Sequence, residues 1–127
     1  MSAPKVKAKS LKEFKEKHSF SKRQAESARI QAKFPDRIPV VVFRLPSCKE
    51  LEMVERTKYL LPEDMTVGMF ISYLRKQIPE LPPEKALFVF INNILSPNSF
   101  TLRQLYDEQA DKDGFIYFQY GAENTFG

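Results

Sequence analysis

The chain has 127 residues, 43% hydrophobic and 13% aromatic, with 20 basic and 16 acidic side chains. That suits one packed domain and is too apolar for a disordered chain. One cysteine (Cys48) and one histidine (His18) exclude an internal disulfide, point to the cytoplasm, and cannot supply the thiolate and imidazole ligands of a structural zinc site.

No phosphate-cradling glycine motif is present, so no cofactor or metal is expected and an enzyme is the weaker reading. A Cys48–His18 pair stands only as the alternative to an inert thiol in the polar "PSCKE" loop. The opening "MSAPKVKAKS" lacks the apolar stretch of a secretory leader, and no apolar run approaches the length of a membrane span. Residues 1–17 hold six Lys against two Glu, which leaves the rest of the chain neutral and argues against a nucleic-acid-binding body. The basic start reads as a solvated, flexible arm over residues 1–10. Its rival is an amphipathic, membrane-touching helix, because "SLKEFKEKHSF" spaces Leu11, Phe14 and His18 at helical intervals.

In chain order, a short helix is predicted over 11–17. A second follows over 21–34, with Ser21 as N-cap, Gln24 three residues on, and a stop before Pro35. Its apolar content is thin (Ala25, Ala28, Ile30, Ala32), so it must lean on another element. "IPVVVFRL" (38–45) is a β-branched and aromatic strand, 46–56 a charged connection, and "TKYLLP" (57–62) a second strand. Val67, Phe70, Ile71, Leu74 and Ile78 give 66–78 a helical period, ended by "PELPP". "ALFVFI" (86–91) is a buried strand turned by Asn92 and Asn93, and 101–109 a helix with Thr101 and Gln104 in capping-box spacing. "GFIYFQY" (114–120) is the last strand, with a tail from Gly121.

This order predicts an α+β, ubiquitin-like β-grasp: a four-stranded mixed sheet whose first and last strands sit together at its centre, with two additional N-terminal helices. The expected division is a 1–10 arm, an 11–34 helical subdomain, a 35–120 core and a 121–127 conjugation tail. A neutral body and a tail ending in glycine fit a modifier. Glycine has no Cβ and suits a narrow channel in strained backbone geometry.

Several blocks, "FPDRIPVVV", "KYLLPEDMTVGMF", "LRKQI", "ALFVFINN" and "LYDEQADKDGFIYFQYGAENTFG", resemble one family in order and spacing, over about residues 18–127. That family is the autophagy ubiquitin-like modifiers, the GABARAP-like group. The chain departs from its pattern in a longer, more basic start and a 46–57 connection about one residue longer. Gln77 stands where basic residues are common, and Tyr73 where an aliphatic is common.

The resemblance implies that Gly127 becomes amide-linked to phosphatidylethanolamine by activating and conjugating enzymes, after a cysteine protease that also deconjugates it. It implies a monomer in solution, cytoplasmic and on the autophagosome membrane when lipidated, and no nucleic-acid partner. It further implies recruitment of cargo receptors whose aromatic-x-x-aliphatic peptide adds a strand to the edge at 58–61. Alternation along that peptide is taken to put both anchors on one face. By resemblance the aromatic anchor meets Glu26, Ile30, Pro39, Lys58, Leu60 and Phe115, and the aliphatic one Tyr59, Leu61, Pro62, Met65, Phe70 and Tyr73. Arg37, Arg56 and Lys58 would face acidic residues beside the motif. Each of the apolar residues, taken alone, reads first as core. The competing function is an adaptor of the same fold that binds such peptides and is never conjugated.

Overall fold

An apolar run without polar alternation needs cover on both faces. In the computed structural model, which describes residues 8–122, the run 38–43 has that cover. The elements are α1 (Leu11–Lys17), α2 (Phe20–Lys33), β1 (Arg37–Arg44), β2 (Lys58–Pro62), α3 (Val67–Gln77), β3 (Leu87–Ile91), β4 (Ile94–Leu95), α4 (Leu102–Gln109) and β5 (Ile116–Ala122). The sheet order is β2-β1-β5-β3-β4, with β1 and β5 parallel at the centre and the other neighbours antiparallel. β2 is an edge, as expected.

Along β1 the side chains divide by parity. Ile38, Val40 and Val42 enter the main core with Phe70 and Leu74 of α3 and Leu105 of α4. Val41 and Phe43 face the other way, into a second cluster with Phe14, Phe115 and Tyr117, closed by Leu11 and Ile30. The N-terminal helices therefore cover one face of the sheet, and α3 and α4 the other. The apolar stripe of α1 is used here: Phe14 is buried against the sheet and Leu11 packs beside it, so neither forms a membrane-facing surface.

Five details differ from expectation. The N-cap of α2 is Ser19, whose hydroxyl accepts from Lys22 N–H, two residues before Ser21. The inward residues of that helix are Arg23 and Ser27, with Ile30 half-buried; Ala25, Ala28 and Ala32 are exposed. The helix leans on the sheet through polar bonds that an apolar count does not register. The sheet gains β4, a two-residue strand paired with Phe90 and Ile91, because Asn92 and Asn93 both adopt positive φ and close a two-residue hairpin. The 46–56 connection buries Cys48, Leu51 and Val54, three residues apart, so Cys48 is a core residue and not a loop thiol. Nothing joins it to His18, whose ring lies on Phe14; Cys48 Sγ accepts the Ala122 N–H at 3.3 Å. Finally, β5 begins at Ile116 and runs through Ala122, pairing Gly121 and Ala122 with Phe88 and Leu87. Residues 1–7 of the expected arm and 123–127 of the expected tail, Gly127 included, lie outside the described residues.

The rings that build these cores predict alkaline sensitivity. Burial raises the phenol pKa of Tyr59, Tyr106, Tyr117 and Tyr120, that of Tyr120 to about 12. A raised folded pKa means stability that is present below the unfolded value of about 10 and lost as pH climbs through the folded one. For Tyr120 alone the loss is roughly 2–3 kcal/mol across about pH 10–12. The melting temperature should therefore stay level from neutrality to about pH 10 and then fall as phenolate absorbance appears. A midpoint unchanged after the phenolates have formed would refute this.

Candidate functional site

The free edge of β2 is short, and its usable groups can be read from the register. Asp36 O accepts from Glu63 N–H (3.3 Å), and Thr57 O accepts from Val42 N–H (2.7 Å). In this antiparallel ladder the bonded pairs are therefore 36/63, 38/61, 40/59 and 42/57. The backbone groups of Lys58, Leu60 and Pro62 turn outward. Pro62 has no N–H, and its carbonyl already accepts from Met65 N–H (3.2 Å), so the open ladder is Lys58 and Leu60. Arg56 Nε donates to the outward Lys58 carbonyl at 3.0 Å, and its guanidinium lies over the Tyr59 ring at 5.0 Å. An added strand would displace that bond.

Two groups of residues flank this edge, one on each face. On the α2 face, Leu60 is half-buried opposite Pro39 in the register, while Ile30 packs on the cluster that holds Phe115. Lys58 Nζ bridges to Glu26 of α2 at 2.9 and 3.2 Å and sits 5.6 Å above the Phe14 ring. Both partners of the bridge are well exposed, so it contributes at most about 1 kcal/mol. The six residues expected around an aromatic anchor are thus together, with Pro39 and Phe115 as buried floor. Phe14, placed beneath Lys58, was not among them; its signal was the Leu11–Phe14 stripe.

On the α3 face, Tyr59, Leu61 and Phe70 belong to the main core, with Met65 and Tyr73 packed at its rim. Pro62, opposite Arg37 in the register, has the parity of Lys58 and Leu60 and falls on the α2 face, apart from the group it was expected in. Tyr59 meets Phe70 (5.7 Å) and Tyr73 (5.9 Å) edge-on, and Phe70 and Tyr73 stack at 6.5 Å. The anchors cannot share a face, because strand residues three apart have opposite parity. Pro62 apart, the two residue groups likewise lie on opposite sides of β2.

The three cations expected to face an acidic flank do not form one cluster. Arg56 and Lys58 lie at one end of β2, whereas Arg37 pairs with Pro62 at the other. Beyond the Lys58 end opens a groove of about 1440 Å³ over Phe14 and Phe43, lined by Lys9, Lys17, Lys22, Arg56 and Lys58 against the one carboxylate of Glu55.

Two of the six residues of the aromatic group, Glu26 and Ile30, ride on α2, which is fixed from below. The Asp113 carboxylate, fully buried, accepts from Arg23 Nη1, from the Tyr117 hydroxyl and from Phe115 N–H (2.8 Å). Ser27 Oγ donates to the Asp113 carbonyl, and Arg23 Nε to His18 O at 3.0 Å. Gly114, at φ +92°, lets this turn approach α2; a Cβ there would collide with the Ser27 hydroxyl.

Among the described residues no helix is long and apolar enough to cross a membrane. A family model described as autophagy protein Atg8, ubiquitin-like, matches residues 22–127. The chain is 49% identical over 117 residues to autophagy-related protein 8d of Arabidopsis thaliana, covering 92% of this chain and 96% of that protein. It is 46% identical over 115 residues to autophagy-related protein 8 of Candida albicans, covering 91% and 84%. The crystal structure of Trypanosoma brucei ATG8 superposes with a TM-score of 0.81 at 38% identity, covering 90% of this chain and 97% of that one.

Proposed function

The chain belongs to the Atg8 family of autophagy ubiquitin-like proteins, and from that premise we propose that it is a modifier conjugated through Gly127 to phosphatidylethanolamine on autophagosomal membranes. Other enzymes supply the catalysis: activation as an adenylate, transfer as a thioester, and amide formation with the lipid amine, after cysteine-protease processing where a precursor is longer. Two acyl chains then anchor what one would hold only marginally. Unattached, the protein is a cytoplasmic monomer.

The second half of the reading is recruitment of cargo receptors through aromatic-x-x-aliphatic peptides added to β2. The observation that carries it is the parity of the edge. Lys58 and Leu60 face the α2 side while Tyr59 and Leu61 face the α3 side, so anchors of opposite parity, as a spacing of three gives, can each meet one group. Because the aromatic group begins at Lys58 and the other extends past Leu61 to Met65, the peptide runs parallel to β2. Its upstream acidic residues then approach Arg56, Lys58 and the cationic groove. Two anchors at about 2 kcal/mol each and a few ladder bonds near 1, set against ordering costs, give micromolar affinity.

Conjugation is tested by incubating the protein with activating and conjugating enzymes, ATP and phosphatidylethanolamine liposomes. A lipid adduct is expected by mass from the intact chain and none once Gly127 is deleted, with the melting temperature unchanged. An adduct of normal yield from the deletion variant would sink the modifier reading, and no adduct from either would leave the unconjugated adaptor.

A further inference from the structure

The cationic groove stands at one particular end of the sheet. β1 and β5 are parallel, so Arg44, the last residue of β1, lies beside Tyr120, close to where β5 finishes. β2 starts at the same end, with Lys58 beside Val41. The connection that walls the groove is bonded to the end of β5. The Tyr120 hydroxyl accepts from Val54 N–H at 3.0 Å and donates to Glu52 O at 2.7 Å, and Cys48 Sγ takes the Ala122 N–H. Gly127 follows Ala122 by five residues, at most about 18 Å of extended chain. Whatever Gly127 is joined to therefore lies within reach of this end.

Charge is graded along the same axis. Lys9, Lys17, Lys22, Arg56 and Lys58 are all exposed around the groove. Lys17 and Lys58 bridge to Glu13 and Glu26, but these bridges are exposed and weak, and a phosphate can share their ammonium groups. The opposite end carries Asp36, Glu63, Asp64 and Asp107 around Arg37 and Arg103.

Resting on the conjugation reading above, we infer that the groove is a membrane-facing surface, whose lysines and Arg56 engage the headgroups of anionic lipids beside the one attached to Gly127. The tether supplies the proximity, so the cations need only bias orientation. Each basic side chain held near an anionic bilayer contributes about a fivefold preference. The groove end then faces the bilayer and the acidic end points away. β2 rises from the membrane, and a peptide parallel to it has its upstream flank at the headgroups.

The test couples the full chain carrying Gly127→Cys to a maleimide-headgroup lipid in nanodiscs, which bypasses the enzymes; Cys48 is buried and does not compete. A gadolinium-chelating lipid in the disc broadens the amide signals nearest the bilayer. With phosphatidylserine present, Lys22 and residues 53–58 should broaden several-fold more than Asp36 and Gly114, which lie at the other end of the strands. In pure phosphatidylcholine, or at high salt, that contrast should fall to what the tether alone gives. Lys9→Glu with Lys22→Glu should abolish the serine-dependent part, whereas reversing Lys5 and Lys7 should leave it. A contrast equal in both lipids, or one lost only on reversal of Lys5 and Lys7, overturns the inference. The enzymatic assay judges conjugation separately: no adduct there removes the tether's origin, while a charge-independent contrast on the discs removes the membrane-facing groove alone.

Discussion

Replacing Leu60 by arginine is expected to abolish binding of an aromatic-x-x-aliphatic peptide while the protein stays folded. Leu60 is only half-buried, on the outward side of an edge strand, so the larger side chain has room to turn to solvent in the free protein. In a complex it must either occupy the space meant for the aromatic ring or be sealed beneath it, and an unpaired charge in that position is far costlier than the anchor is worth. Loss of the anchor alone, about 2 kcal/mol, is roughly a thirtyfold weakening. Lys58→Glu should weaken binding differently. It sets two carboxylates face to face across the edge, at Glu26, and repels acidic residues upstream of the motif. Titrations at two ionic strengths separate the mechanisms: the Lys58 effect should shrink in high salt and the Leu60 effect should not. A Leu60→Arg protein that binds as well as wild type would place the recognition surface elsewhere.

Asp113→Ala should be strongly destabilising. It removes the acceptor of Arg23, of the Tyr117 hydroxyl and of Phe115 N–H together, at a site with no solvent to replace it. Breaking a buried pair from one side costs about 3–5 kcal/mol, against a total stability of about 5–15 kcal/mol for a domain. Asp113→Asn keeps acceptor oxygen and volume and should cost less. Denaturant unfolding measures the loss. Amide exchange adds the location, since α1 and α2 should open before the sheet does. A loss below about 1 kcal/mol would show that the network contributes geometry without stability.

The central strands were legible because burial on both faces requires unbroken apolar runs, and 38–43 and 116–118 are such runs. α3 and α4 were legible through their period and, for α4, through the Thr101–Gln104 capping box, which forms as spaced. The attachment of α2 was not legible. Arg23 and Ser27 look like ordinary surface residues, and their partner lies some ninety positions later in the chain. β4 escaped because two exposed residues, Ile94 and Leu95, carry no alternation; only the Asn-Asn turn hints at a return strand. The residues flanking the edge came from resemblance, whereas their division between two faces follows from strand parity and became visible with the register. The three-residue spacing of Cys48, Leu51 and Val54 is an inward-facing pattern in the sequence, masked by the charged residues between them.

The polar clamp between α2 and the Asp113 turn has a consequence for recognition. A bare sheet edge is indiscriminate, since any extended chain can pair with its backbone. Here one wall of the groove belongs to the sheet and the other, through Glu26 and Ile30, to a helix pair appended to it. On the peptide-binding reading proposed above, selectivity arises at a seam between two units of the fold and exists only while the seam is closed. On that reading, a β-grasp stripped of its first two helices would keep the edge and lose its discrimination.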